Sequence, residues 1–284
     1  MKKRISILTL VILSICVTNA QDTIRSITAG DWTKTLEKDV TYTLEPFGSN
    51  ISIKEGTTNL HSLVLPETIT FSSTLDTVPH EEGVVINGVR WATCNVGAHG
   101  QFVANPEDFG GYYQWGRKGD GHEQPTSGTT TTLSSTDDPG HSNFILTEED
   151  PYDWRVPQND ALWNAGSETT PVKATNDPCP AGWRVPTLTE LQSLETVTKE
   201  WSNLNGVDGY FIGDGEPKLF LPAAGIRNYI SSGYDFVGTS GNYWSSSIGG
   251  TNAYSTYFYS TTVAPGTNSN SRASGFSIRC IAEQ

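Results

Sequence analysis

Beyond its first twenty residues the chain carries three thiols, Cys94, Cys179 and Cys280, and five histidines, His61, His80, His99, His122 and His141. A thiol can act as nucleophile, metal ligand or half of a disulfide, and an imidazole as base or ligand. No cysteine pair has CxxC spacing, and no histidine lies close enough to complete a zinc set, which argues against a metal centre. The histidines sit in polar or glycine-rich segments with no Gly-x-Ser-x-Gly elbow to serve, and they read as surface groups. Asp208, Asp214 and Glu216 read as a solvated acidic loop. In an oxidising compartment three thiols allow one disulfide and one leftover, with the pairing open. These residues assign no catalytic group, no metal and no cofactor, so any ligand would be held by non-covalent contacts.

Residues suited to such contacts gather between Gly225 and Arg272. Asn228, Tyr229, Tyr234, Asn252, Tyr254, Tyr257, Tyr259, Asn268 and Asn270 stand there among Ser, Thr and Gly. Paratopes share that composition, because Tyr supplies rigid amphipathic area and Ser or Asn adaptable hydrogen bonds. These nine residues are therefore the expected ligand-binding surface, for a protein or a glycan. A plainer reading is that Tyr and Thr form strands while Asn, Ser and Gly form turns. Alternation separates the two readings locally: Tyr257 and Tyr259 fall on the face opposite Phe258, and point outward if Phe258 is core.

The elements that must carry this surface begin with an export signal. Lys2, Lys3 and Arg4 precede a mostly apolar run from Ile5 to Cys16, and Thr18-Asn19-Ala20 follows, the order of a secretory signal peptide cut after Ala20. Leu13-Ser14-Ile15-Cys16 partly resembles a bacterial lipobox, an alternative that would place a lipid on Cys16. No stretch approaches the roughly 18–20 apolar residues of a membrane-spanning helix. The expected location is the cell surface, the outer membrane or the medium. The formal net charge is −13, and the signal segment holds three basic residues and no acidic one, so export leaves a still more acidic chain. Such a chain repels phosphate backbones, which excludes nucleic acid as a natural partner.

Residues 21–82 alternate in short segments and read as a small β-rich module ending in an acidic linker around Pro79. From residue 83 a second domain opens with a hairpin, two apolar strands joined by Asn87-Gly88. Gly119 to Gly140 is dominated by Gly, Ser, Thr and Asp and reads as a long surface excursion without regular structure. Trp-Arg-Val-Pro occurs at 154–157 and again at 183–186. After the second copy, Thr187 and Glu190 form a capping box, and the spacing of Leu188, Leu191, Leu194, Val197 and Trp201 predicts a helix from Leu188 to Trp201. The first copy predicts one helical turn or two, ending at Gly166. Short strands follow Gly206, and in the last of them alternation turns Phe276, Ile278 and Cys280 to one face, with Cys280 inward.

Four motifs in order, Asp177-Pro178-Cys179-Pro180-Ala181-Gly182-Trp183-Arg184-Val185-Pro186-Thr187, Leu219 to Gly225, Tyr243 to Ser247 and Gly275 to Cys280, resemble the Fibrobacter succinogenes major paralogous domain of exported Bacteroidota and Fibrobacterota proteins. The Trp91 to Gly97 opening and Pro157 to Asp160 are similar too, so the likeness runs from about Val84 to Ile281. The resemblance implies an α+β, C-type-lectin-like domain over residues 83–284, with short twisted antiparallel strands, one or two helices and long loops. It favours a Cys179–Cys280 disulfide, leaves Cys94 a buried free thiol, and puts Trp244 and Phe276 in the core. The wider fold group includes calcium-dependent lectins and formylglycine-generating enzymes. Glu123-Gln124-Pro125 and Trp201-Ser202-Asn203 do not match the calcium motifs of the former, and the disulfide uses the cysteines the latter would need. The Asn, Tyr, Ser and Thr run before Gly275 also resembles the variable regions of retroelement-diversified proteins.

Overall fold

The computed structural model describes residues 83–283 in full and, before them, the backbones of eight strands. Contacts divide the chain into two units, residues 1–79 and 80–284. In the first, Lys3–Arg4, Ile69–Ser72, Ser26–Ala29 and Trp32–Thr35 form one antiparallel sheet in that order, and Leu13–Cys16, Thr41–Phe47, Asn50–Glu55 and Thr58–Val64 form another. The two strands within the expected signal segment each lie at a sheet edge, so the expected cut after Ala20 would leave two three-stranded sheets. The cleavage site itself, the side chain of Cys16 and the linker's Asp76 to Glu82 lie outside the described residues.

The second unit is built from short strands in small sheets, with almost no helix. Strands β1 (Val84–Ile86) and β2 (Val89–Trp91) make the expected hairpin, in which Asn87 at φ 48° and Gly88 at φ 83° supply the paired left-handed residues of a type I′ turn. Then come β3 (Tyr113–Gln114), β4 (Thr129–Thr130), β5 (Phe144–Ile145) and β6 (Trp183–Arg184), before the single described helix, α1 (Leu188–Gln192). A meander follows in β7 (Lys199–Leu204), β8 (Val207–Ile212) and β9 (Leu219–Pro222), then a hairpin of β10 (Ile226–Arg227) and β11 (Tyr234–Asp235). A longer meander of β12 (Ser240–Gly249), β13 (Asn252–Tyr259) and β14 (Thr262–Asn270) precedes β15 (Gly275–Phe276) and β16 (Ile281–Ala282). The last strand lies between β2 and β6, with Ile281 opposite Trp91, so the end of the unit closes onto its beginning.

Helix α1 is shorter than its apolar spacing predicts. The capping box forms: Thr187 Oγ1 accepts from Glu190 N, and the Glu190 carboxylate accepts from Thr187 N at 2.8 Å. One turn later the Ser193 hydroxyl donates to the Glu190 carbonyl at 2.6 Å, a local bond that competes with helix propagation. The β-branched run Thr196-Val197-Thr198 then leads into β7, whose six residues pair fully with β8. Val197 and Trp201 still pack on the core, from a turn and a strand. Residues 158–166, where a turn or two of helix was expected, contain no helix: they run through turns and bends, and Asn164 forms an antiparallel bridge with Lys173.

The core has two main clusters among the described residues. One joins Val84, Ile86, Tyr210, Leu221, Tyr243 and Phe258 beneath the meanders. The other is built on Trp115, Trp163, Trp183, Trp244, Phe276 and the disulfide. Trp244 and Phe276 stack there at 4.2 Å, as expected. Cys179 and Cys280 are bonded across a separation of 101 residues, and Cys94 is free and buried, its thiol pushed up by desolvation.

The segment from Gly119 to Gly140 is not a free excursion. Arg117 and Arg227, both essentially inaccessible, reach into it. Arg117 donates from Nη2 to the His141 carbonyl at 2.7 Å and from Nη1 to that of Asn143 at 2.9 Å. Arg227 Nη1 donates to the His122 carbonyl at 3.0 Å and to Ser127 Oγ at 2.6 Å, with its guanidinium 4.2 Å from the Phe144 ring centroid. Leu133 alone packs on a small cluster of Ile145, Trp154 and Leu162, so this polar loop is anchored mainly through its carbonyls, and a two-residue parallel pairing of β4 with β5 adds to that.

Candidate functional site

Two places bring together residues with chemical capacity. In the clamped loop, Asp120, His122 and Glu123 place ligand atoms within 4.8 Å of one another. His122 was expected at the surface and is instead fully buried. The reason is that its ring is part of the clamp: Nδ1 lies 2.8 Å from Asp120 Oδ1, and Nε2 accepts from the Gln114 backbone N at 3.1 Å. That pattern fixes the neutral tautomer, with the proton on Nδ1. Burial and the nearby Arg117 push the His122 pKa down to about 4. The Asp120 carboxylate also accepts from Arg117 Nε at 2.8 Å, and Glu123 accepts from Gly121 N at 2.9 Å. Every ring nitrogen and most carboxylate capacity is spent inside the fold. A cation there would have to displace these bonds, so the trio serves the structure.

The second place is a cleft of about 600 Å³ beside the long meander. Residue pairing builds its base: Ser240 lies opposite Tyr259 and Asn242 opposite Tyr257, all on one face of β12 and β13. Phe258 faces the other way into the core, so alternation holds as read from the sequence. The rest of the lining comes from Asn228, Tyr229, Phe236 and Thr239, in and just after the β10–β11 hairpin, and from Asn270, Ser274 and Phe276. No lining residue carries a charged side chain, in a chain whose formal net charge is −13.

Phe236 stands out in this lining. It is 62% exposed and has a φ of 62°, a left-handed conformation that is a genuine outlier for a bulky residue. Its backbone is held there because its carbonyl accepts from Thr239 N, Ser240 N and Thr239 Oγ1, each at 3.0 Å. Gly225 makes the approach possible: a Cβ at that position would sit 2.3 Å from the Asp235 carbonyl oxygen and 2.7 Å from Val237 N. The fold thus fixes the backbone of Phe236 and leaves its ring in solvent.

Five of the nine expected residues, Asn228, Tyr229, Tyr257, Tyr259 and Asn270, line the cleft. The side chain of Asn228 is consumed locally, accepting from Ile230 N at 2.8 Å and donating to Asp235 at 2.9 Å. Asn270 Nδ2 donates to Ser255 Oγ at 2.9 Å. The other four lie elsewhere. Tyr234 packs on Tyr112 with centroids 5.0 Å apart and donates its hydroxyl to the Pro125 carbonyl at 3.1 Å, so it belongs to the clamped loop. Tyr254 pairs with Ser269 on the far side of a register shift in β13, Asn252 opens the same strand, and Asn268 of β14 pairs with Ser255. Phe236, Asn242 and Ser274 were missed. The available signal for Phe236 was an apolar Phe-Val pair stranded in Ser-Ser-Gly-Tyr-Asp-Phe-Val-Gly, which suits neither a strand nor a polar turn.

Compared with protein-family models, with curated proteins and with solved structures, the chain matches none.

Proposed function

We propose that this is an exported, non-catalytic recognition protein of the cell envelope that holds its ligand in the Tyr- and Phe-lined cleft of a C-type-lectin-like domain. The observation that carries the reading is Phe236, a strained and exposed aromatic residue that lines one concave, uncharged site with Tyr257 and Tyr259. Strain is kept where the surrounding structure imposes it, and such positions cluster at ligand sites. Aromatic rings beside amides and hydroxyls suit non-covalent binding, and the volume is that of an ordinary ligand pocket. The disulfide, and the absence of any membrane-spanning helix among the described residues, are compatible with export. The likeness to the Fibrobacter major paralogous domain accords with the disulfide and with the short antiparallel sheets.

The test is a glycan-array and surface-protein capture screen with the mature chain beside a Tyr257→Ala, Tyr259→Ala variant. Capture that is lost in the folded variant supports the reading, and no capture at all sinks it.

A second reading, a structural surface-assembly subunit, draws on the exposure of Ile230, Phe236 and Val237 along one rim. It expects self-association of the mature chain at micromolar concentration, which sedimentation velocity would reveal. A formylglycine-generating type of enzyme has the least support, because Cys94 is buried and its thiol is pushed up by burial.

A further inference from the structure

The geometry points to a neutral carbohydrate as the ligand of the cleft, with Phe236 as the platform for a sugar ring and Asn242 and Ser274 as the groups that read its hydroxyls. This names the ligand class for the site proposed above and rests on that reading.

Charge comes first. An acidic, sulfated or phosphorylated ligand would need a cation, and the lining supplies none. The guanidiniums that flank the lining in sequence, Arg227 and Arg272, are buried and make their hydrogen bonds elsewhere, with Arg227 Nε and Arg272 Nε and Nη1 making none. Arg227 holds the loop carbonyls, and Arg272 lies 4.7 Å from the Trp115 ring centroid with Nη2 donating to the Asp160 carboxylate at 2.7 Å. A basic ligand finds no carboxylate in the lining either.

Depth separates a sugar from a protein surface or a hydrocarbon. Ser240, Asn242 and Ser274 are polar lining residues and at least nine-tenths buried. Asn242 makes one long bond, from Nδ2 to Ser240 Oγ at 3.4 Å, and so leaves its carbonyl oxygen open to the cleft. Such groups cost free energy unless water or a ligand satisfies them, so a purely apolar ligand would bind at a penalty. A flat protein surface would not reach them. A sugar ring, by contrast, offers hydroxyls at its rim and an apolar C–H face to the negative face of an aromatic ring. The cleft presents the complement of that pattern, an exposed Phe236 and buried amide and hydroxyl groups in one lining.

The test measures binding of the full mature chain to an immobilised panel. One arm carries neutral oligosaccharides ending in glucose, galactose, mannose, fucose or N-acetylglucosamine. A second carries the same backbones bearing uronate or sulfate, and a third carries deglycosylated surface proteins. The expected result is binding to neutral members that survives chelator and high salt. Phe236→Ala and Asn242→Ala should each weaken it by about tenfold or more, as hot-spot truncations do. Phe236→Tyr should rescue the platform, and thermal melting would confirm that all three variants fold. Binding to charged glycans only, or Phe236-dependent capture of deglycosylated protein only, overturns the ligand class while leaving the cleft as the recognition site. Neutral-glycan binding that ignores both substitutions removes the cleft from the account. Binding by no arm overturns both.

Discussion

The clamped loop and the cleft are opposite solutions to placing polar groups in a small β-rich unit. Asp120, His122 and Glu123 have the side chains a chemist would choose for a metal or a base, yet their capacity is spent on Arg117, Gln114 and Gly121. The cleft has no acid, base or nucleophile, yet Phe236 remains exposed and Asn242 incompletely bonded. The residue types favour the first place as a site, and the unspent capacity favours the second. What marks the cleft as the proposed binding site is what the fold leaves unsatisfied or uncovered.

The largest expected effect tests whether the two regions share one cooperative unit. Replacing Cys179 and Cys280 by Ser frees a loop spanning a separation of 101 residues and should cost about 4–5 kcal/mol on the loop-entropy model. Urea unfolding should show one transition at a lower midpoint, with loop and cleft reporting together. If amide exchange in 117–143 rises while the cleft stays protected, they are separate units.

Arg117→Ala sharpens the contrast. It leaves the Asp120 carboxylate without its cation and two loop carbonyls without donors, a loss of about 3 kcal/mol by the precedent of broken buried pairs. Ligand affinity per folded molecule should not change, because the loop spends its bonds internally. A parallel loss of affinity, measured by calorimetry on protein shown to be folded, would break the comparison.

The buried side also predicts a pH profile with opposing contributions. His122 has its pKa lowered from 6.5 to about 4, so the folded state binds fewer protons than the unfolded one across that window. Its contribution is present above pH 6.5 and lost as pH falls to 4, about 3 kcal/mol in order of magnitude. Asp177, buried where it accepts from Cys179 N and Val185 N, has its pKa raised from 3.8 to about 6. The folded state then binds more protons, so the penalty of its carboxylate fades as pH falls from 6 to 3.8, again about 3 kcal/mol. In the wild type these two changes offset. Asp177→Asn leaves the His122 term alone, and its stability should fall more steeply between pH 6 and 4 than that of the wild type. Equal slopes in urea midpoints across that range would show that one assignment fails.

Much of this was legible in the chain because it is local. The Asn87-Gly88 turn, the outward Tyr257 and Tyr259, and the inward Cys280 follow from turn chemistry and a period of two. The Thr187 capping box was equally readable, but the end of α1 was not. The spacing of Leu194, Val197 and Trp201 buries the same residues whether a turn and strand or a helix carries them, and pairing with β8 decided it. The clamped loop was invisible because an arginine more than a hundred residues away, Arg227, supplies donors to its backbone, and composition encodes no such partner. Tyr234 was misplaced for the same reason, its hydroxyl being taken by Pro125. Phe236 was missed because a tyrosine-and-asparagine search overlooks a lone phenylalanine whose significance lies in its backbone angle.

The smallest expected change in stability is the sharpest probe of that angle. A bulky side chain in the left-handed region costs about 1–2 kcal/mol, and glycine there avoids the clash while losing about 0.5–1 kcal/mol of backbone entropy. The Phe236 ring is 62% exposed, so removing it forfeits little burial. Phe236→Gly should therefore leave the urea midpoint unchanged or raise it slightly, while abolishing the binding proposed for the cleft. Stability gained where function is lost is the signature of a residue whose strain serves a ligand. A loss of about 2 kcal/mol or more would instead mean that the ring packs on its own fold, since exposed substitutions free of such roles stay within about 0.5 kcal/mol. In that case Phe236 would join Tyr234 among the aromatic residues spent on structure, and the contrast between the two regions would rest on Asn242 alone.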